Sequence, residues 1–122
     1  MTKHTQSIQA FTALGDLLND YTSKKTSNDD WIEKLDNALV SASSQNKWFT
    51  KENLHFCIAV WGQTLNENDI TEWLSAYTEP KKSTRLALVM AVNIPLVGLH
   101  DVICGLASGC SIEAKCSSSD TT

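Results

Sequence analysis

Several features are missing from this chain of 122 residues, and each absence excludes a class of protein. No apolar run approaches the roughly 20 residues that a helix needs to cross a bilayer. Residues 1–15 lack the apolar core of a signal peptide. No stripe of basic residues is present and the formal net charge is −4, so nucleic acid is not expected as a partner. These absences predict a cytoplasmic protein that makes no membrane contact.

The cysteines lack the spacing of a metal or redox motif. They form no Cys-x-x-Cys pair, and no histidine stands at the spacing of a zinc finger, so no metal site is predicted. A nucleophilic thiol needs a neighbouring base or positive field, and no adjacent residue supplies one. We therefore expect reduced thiols that act as small buried apolar residues. The four are Cys57, Cys104, Cys110 and Cys116.

Residues 1–80 contain apolar residues at helical spacing and predict an N-terminal helical segment. Thr50 and the run from Asn66 to Asp69 are the predicted caps of its third and fourth helices. This half is acidic, with 6 Lys and Arg against 11 Asp and Glu. All four tryptophans lie in it and are predicted to anchor the packing of a helical bundle. They are Trp31, Trp48, Trp61 and Trp73.

The spacing of the apolar residues is no longer helical after Pro80, one of only two prolines in the chain. The run "RLALVMAV", residues 85–92, is apolar without alternation. That pattern is typical of a strand buried on both faces of a sheet. The sequence Asn-Ile-Pro at residues 93–95 then interrupts the run.

A helix and a second strand are predicted beyond this break. Apolar residues recur at helical spacing from Leu96 to Leu106, and Gly109 stands where a C-cap glycine is expected. The run "CSIEAKCSSS", residues 110–119, predicts a strand followed by a serine loop. Residues 81–122 therefore predict the beginning of an α/β domain, with a parallel strand–helix–strand unit that belongs in a larger sheet.

Two long stretches resemble the acyl-CoA reductases, which include the fatty-acid reductase of bacterial bioluminescence and are distant relatives of the aldehyde dehydrogenases. The stretch "MAVNIPLVGLHDVICGLASGCSIEAKCSSSD", residues 90–120, resembles their cofactor-domain signature. The stretch "NKWFTKENLHFCIAVWGQTLNENDITEWLSAY", residues 46–77, resembles the helical segment that precedes it. The resemblance implies a fold in which this chain carries the start of a Rossmann-type cofactor domain. Ala91 and Val92 depart from it, because such proteins usually carry a glycine before the asparagine.

The resemblance implies a reaction and a set of site residues. Such reductases attack a fatty acyl-CoA thioester with a cysteine thiolate and release an aldehyde with hydride from NAD(P)H, here with NADPH favoured. Asn93 matches the asparagine whose amide donates to the oxyanion. Lys115 matches the lysine that holds the adenosine ribose, and Ser117 is its expected hydroxyl partner. Ala91 and Val92, despite their departure from the family's glycine, occupy the position of the strand end beside the cofactor.

Each of these residues also has a purely structural interpretation. Asn93 can satisfy the backbone of a turn next to proline. Lys115 can extend from the strand end into water, and Ser117 can be an ordinary loop residue. His100 and Asp101 are adjacent on the predicted helix and so do not face each other as a catalytic dyad does, which favours a dipole and packing role for Asp101.

Two functional classes stay open at this stage. None of the four cysteines matches the family's nucleophile, so we expect an N-terminal fragment of a reductase that is inactive alone. An unpaired edge of its sheet predicts possible self-association. The alternative is a non-catalytic helical module, derived from such an enzyme, whose acidic half binds a protein partner.

Overall fold

The computed structural model describes residues 1–24, 30–91 and 95–116. These residues form five helices and two short strands, and helices account for 63% of them. The elements in chain order are α1 Lys3–Thr22, α2 Asp30–Gln45, α3 Lys51–Thr64, α4 Glu67–Ser75, β1 Arg85–Val89, α5 Leu99–Ala107 and β2 Ser111–Lys115. None of the described helices is long and apolar enough to span a membrane.

The predicted fold class, a helical segment followed by the start of a Rossmann-type α/β domain, is wrong. The described residues form a mostly helical fold whose sheet has two strands of five residues each. The prediction of a strand buried on both faces also fails, since residues of β1 alternate between exposed and half-buried. A Rossmann-type domain needs a larger parallel sheet covered by helices on both faces.

Side-chain caps fix where three of the helices begin. The Thr2 hydroxyl accepts from the Thr5 amide at 3.1 Å, and the Thr50 hydroxyl accepts from the Asn53 amide at 3.2 Å. The Asn66 side chain accepts from the amide of Asp69 at 2.9 Å. The predicted caps at Thr50 and Asn66 are thereby confirmed. Each bond satisfies an amide that has no partner within its helix and contributes about 1 kcal/mol.

The main core joins the helical half to α5. Its buried side chains come from α1, α4, α5 and the end of α3, and Ile8, Leu14, Trp61 and Leu99 pack around them. The buried members are Phe11, Leu65, Ile70, Leu74, Ile103 and Ala107. A smaller cluster of Ala42, Phe49 and Leu54 joins α2 to α3. The main core contains residues from both sides of residue 80, so the two predicted segments pack together. Their division into residues 1–80 and 81–122 stays a prediction.

Two glycines let α1 and the C-terminal end of α3 approach closely. A Cβ at Gly15 would overlap the carbonyl oxygen of Leu65 and lie 2.9 Å from its Cβ. Gly62 faces Asn19, whose side-chain amide donates to the Gly62 carbonyl at 2.9 Å. The crossing therefore combines close backbone contact with one hydrogen bond between the helices.

The two strands are parallel and α5 covers one face of their sheet. Leu86 pairs with Ile112, and both contact α5 at Gly105, where a Cβ would meet their side chains. Each strand has one pairing partner among the described residues, so each keeps an open edge. Self-association through such an edge stays a prediction.

Gly109 follows the C-terminal end of α5 as the predicted C-cap glycine, and the bonds there form a Schellman motif. Gly109 has a φ of +81°, which glycine adopts without steric cost. The Cys110 amide donates to the Gly105 carbonyl and the Gly109 amide to the Leu106 carbonyl, both at 3.0 Å. The motif reverses the chain from α5 directly into β2.

Two predictions about burial are wrong. Trp31 is 63% exposed and Trp48 is 60% exposed, so these two tryptophans do not anchor a core, whereas Trp61 packs against the main core. None of the cysteines is fully buried either. Cys116 is exposed, and the other three are half-buried. Helical spacing indicates which residues share a face, but not how much another element covers it.

Replacing Gly15 with alanine should destabilise the protein. Alanine is the better helix former by about 1 kcal/mol, but its Cβ would overlap the Leu65 backbone. Overpacking of this kind typically costs about 1–3 kcal/mol, so we expect a lower urea midpoint. Gln9→Ala on the exposed side of α1 is the matched control and should change stability by less than about 0.5 kcal/mol. A Gly15→Ala variant as stable as the parent would contradict the close crossing.

Candidate functional site

The predicted site lies at the carboxyl edge of the two-stranded sheet. Because the strands are parallel, their carboxyl ends meet at one edge, and Val89 pairs with Lys115 there. The Met90 amide extends this ladder by donating to the Lys115 carbonyl at 2.9 Å. Ala91 is exposed and follows Met90 directly. Two of the predicted site residues, Ala91 and Lys115, therefore lie at the same edge.

The other predicted site residues lie outside the described residues. Val92 and Asn93 belong to the segment 92–94, and Ser117 belongs to the segment 117–122. The oxyanion role of Asn93 and the hydroxyl role of Ser117 therefore stay predictions.

A tight turn over residues 95–98 leads into α5. Gly98 contacts the thioether of Met90, where a Cβ would overlap it, and Pro95 is buried beside the turn. Leu96 has a φ of +58°, a left-handed conformation that costs a residue with a Cβ roughly 1–2 kcal/mol. The Leu99 amide then donates to the Leu96 carbonyl at 3.1 Å. Packing on Met90 thus holds the start of α5 over the strand end.

Some of the charged side chains on the sheet face that α5 does not cover are paired. Arg85 and Glu113 form an ion pair across the strands at the amino-terminal side of the site. The ion pairs found among the described residues do not include Lys115. Lys115 therefore presents an exposed ammonium group at the carboxyl edge, where parallel strands commonly meet ligands.

A nicotinamide cofactor fits the described residues at one point. The adenosine ribose of NADH carries hydroxyls, and that of NADPH carries a phosphate as well. An exposed ammonium can donate to either, since lysine has three donors and a positive charge. Ala91 offers only its backbone. Among the described residues of the predicted site, Lys115 is thus the side chain with a group suited to such a cofactor.

A second group of polar side chains lies on α5. The His100 Nδ1 is 3.8 Å from the Asp101 Oδ1, although both side chains are mostly exposed. The Cys104 Sγ lies 3.8 Å from the His100 Nε2 and 3.9 Å from its Nδ1. Burial, with a contribution from the charge of Asp101, raises the pKa of the Cys104 thiol. The contact between His100 and Cys104 was not predicted from the sequence, although their separation by one helical turn makes them neighbours on the helix surface.

Comparison with family models, with curated proteins and with solved structures finds no match to this chain. The resemblance to acyl-CoA reductases therefore rests on the residues quoted above, and any role it implies is a proposal.

A cavity of about 290 Å³ between α1, α2 and α3 is a further concave feature. Tyr21, Asp36 and His55 line it together with apolar side chains from α2 and α3. The Tyr21 hydroxyl donates to the Asp36 Oδ1 at 2.9 Å. Burial and this carboxylate raise the pKa of Tyr21 to about 12. A phenol held neutral in this way is a hydrogen-bond donor rather than a base near neutral pH.

The contact between Tyr21 and Asp36 predicts a specific titration. In a Tyr77→Phe background, Tyr21 is the only tyrosine, and its ultraviolet absorbance should report a pKa of about 12. Because this pKa is raised above the ordinary tyrosine value of 10.0, its contribution to stability is complete below pH 10 and lost as pH rises towards 12. Asp36→Asn should lower the pKa by removing the carboxylate, whereas Glu33→Gln on the same helix should not. An unchanged pKa in Asp36→Asn would disprove the contact.

Proposed function

We propose that this chain carries cofactor-side residues of an NAD(P)H-dependent acyl-CoA reductase that converts a fatty acyl-CoA thioester to an aldehyde. The position of Lys115 at the carboxyl edge of the parallel strands is the observation that carries the proposal. The resemblance over residues 46–120 supplies the reaction class. Lys115 contacts the adenosine ribose, and NADPH is preferred because its additional phosphate attracts the ammonium.

The geometry of the strand ends supports this proposal. Val89 and Lys115 are paired, and the Met90 amide is bonded to the Lys115 carbonyl, so the chain leaves β1 beside Lys115. Asn93 is four residues beyond Val89 along the chain. Asn93 lies outside the described residues, so its contact with the ligand that Lys115 binds is part of the proposal.

The residues have distinct roles in the proposed reaction. The Asn93 amide donates to the thioester oxygen, where negative charge develops as a nucleophile attacks the carbonyl carbon. The cofactor, when bound, supplies the hydride that reduces the acyl group. Lys115 orients it from the ribose side and takes no part in proton transfer. No cysteine of this chain matches the family's nucleophile, so we expect no turnover by these 122 residues alone.

Binding of NADPH to the chain tests the proposal without requiring turnover. In nitrogen-edited NMR spectra, NADPH should shift the amide signals of Met90 and Cys116, which flank Lys115. Lys115→Met should weaken NADPH binding about tenfold, or about 1.4 kcal/mol, because one charge-assisted contact is lost. Lys115→Met should weaken NADH binding by a smaller factor, since NADH lacks the additional phosphate.

The matched control is Lys81→Met, an exposed lysine in the same part of the chain but before β1. This variant should bind NADPH as the parent does. Equal binding by the parent and Lys115→Met, or an equal loss in Lys81→Met, would overturn the role of Lys115. An NADPH response confined to residues far from the carboxyl edge would overturn the location of the site.

A non-catalytic interaction module is the second candidate. Its support is the exposed apolar stripe of Phe56 and Val60, which are 68% and 44% exposed. They lie four residues apart on α3 and therefore share one face of the helix. A protein partner with an apolar surface would cover them. As an independent module, residues 1–80 would also have to fold without α5.

Truncation after residue 80 tests the second candidate. The main core loses Ile103 and Ala107 in that variant, so we expect non-cooperative unfolding by circular dichroism. As a control, removal of residues 117–122 alone should leave a cooperative transition. Cooperative unfolding of residues 1–80 with a native helical spectrum would instead support the independent module.

A further inference from the structure

A cavity of about 290 Å³ lies beside the main core, where α1, the C-terminal end of α3, α4 and α5 meet. This core cavity has a floor of buried apolar side chains, which are Phe11, Leu65, Ile70 and Ile103. Pockets that bind small molecules are mostly apolar, carry a few polar groups and measure about 300–1,000 Å³. The core cavity is at the small end of that range, so it suits a ligand with one aromatic ring and a short side chain.

Aromatic rings from three helices line the core cavity. Phe11 of α1, Trp61 of α3 and Trp73 of α4 each contribute one ring. An edge contact with Tyr77, at 6.4 Å between the ring centroids, helps to fix the Trp73 indole. The face of an aromatic ring attracts a cation that lies within about 6 Å of its centroid, and tryptophan does so most strongly. The walls of the cavity therefore favour an aromatic ring and a positive charge.

Asp69 places a carboxylate beside these rings. It lies four residues before Trp73 on α4, so the two side chains are neighbours on one face of the helix. The Asn66 side-chain amide donates to the Asp69 Oδ2 at 2.7 Å and so restrains the carboxylate. No described residue forms an ion pair with Asp69. Its negative charge is thus available to a ligand in the cavity.

The other ionisable side chains at the core cavity do not oppose a cation. Burial and the charge of Asp101 raise the pKa of the Cys104 thiol, which is therefore uncharged at neutral pH. His100 lies 3.8 Å from the Asp101 carboxylate, which offsets any positive charge on the imidazole. Lys81 and Lys82 line an adjoining groove that shares Cys104, but the described residues around the core cavity include no lysine or arginine. The field inside the cavity is therefore negative.

We propose that the core cavity binds an arylalkylammonium cation, in which a short chain joins one aromatic ring to an ammonium group. The ring packs against Phe11 and Trp61, and the ammonium donates to the Asp69 carboxylate beside the Trp73 indole. Asp69 also lies in the first turn of α4, where the helix dipole favours a carboxylate whether or not a ligand binds. The inference is independent of the proposed reductase function, because the cavity shares no residue with the carboxyl edge of the sheet.

Three probes of similar shape and different charge test the site in the parent chain. Phenethylammonium should cause saturable shifts of the indole N–H signals of Trp61 and Trp73 in nitrogen-edited NMR spectra, and leave those of Trp31 and Trp48 in place. The neutral 2-phenylethanol should bind about tenfold more weakly, because it lacks the charge-assisted bond to Asp69. The anionic 3-phenylpropionate should give no saturable shift. A purely structural role of Asp69 would not produce this order.

Two variants of α4 assign the charge selectivity to one residue. Asp69→Asn should weaken phenethylammonium binding about tenfold and leave 2-phenylethanol binding unchanged, which also shows that the cavity is intact. Glu67→Gln removes an acid from the same helical turn that does not line the cavity, and it should bind as the parent does. The proposal is overturned if phenethylammonium gives no saturable shift, or if the parent binds it no better than 2-phenylethanol. It is also overturned if Asp69→Asn binds the cation as the parent does, or if Glu67→Gln loses as much affinity.

Discussion

The burial of one side of α5 against α1 and α4 is the contact on which the rest of the structure depends. Ile103 is 5% exposed and Ala107 is 7% exposed, and both belong to the core that also contains Phe11. Complete burial of an isoleucine side chain contributes about 1.5–3 kcal/mol. Two five-residue strands are marginal by themselves, so the sheet keeps its place because α5 attaches it to the helical core.

Opposite sides of α5 therefore serve different purposes. Gly105 allows its inner side to lie directly on Leu86 and Ile112, and this contact orients the carboxyl edge that presents Lys115. Ile103 and Ala107 on another side of the helix pack into the helical core. The position of the carboxyl edge therefore depends on the docking of one nine-residue helix.

Local signals in the sequence predicted local features well. Thr50, Asn66 and Gly109 end or begin helices through bonds to residues within five positions, so short motifs were sufficient. Burial was predicted poorly because it depends on distant elements. The run at residues 85–92 was expected to be covered on both faces, yet Val89 is 85% exposed.

Native-state hydrogen exchange of an Ile103→Val variant tests most directly whether α5 joins the helical core and the sheet into one unit. Removing one methylene group should cost about 0.5–1.5 kcal/mol. The account predicts the same loss of opening free energy for the ladder amide of Met90 and for the most protected amides of α1 and α4. A loss confined to α5 and the two strands, with α1 and α4 unaffected, would contradict it.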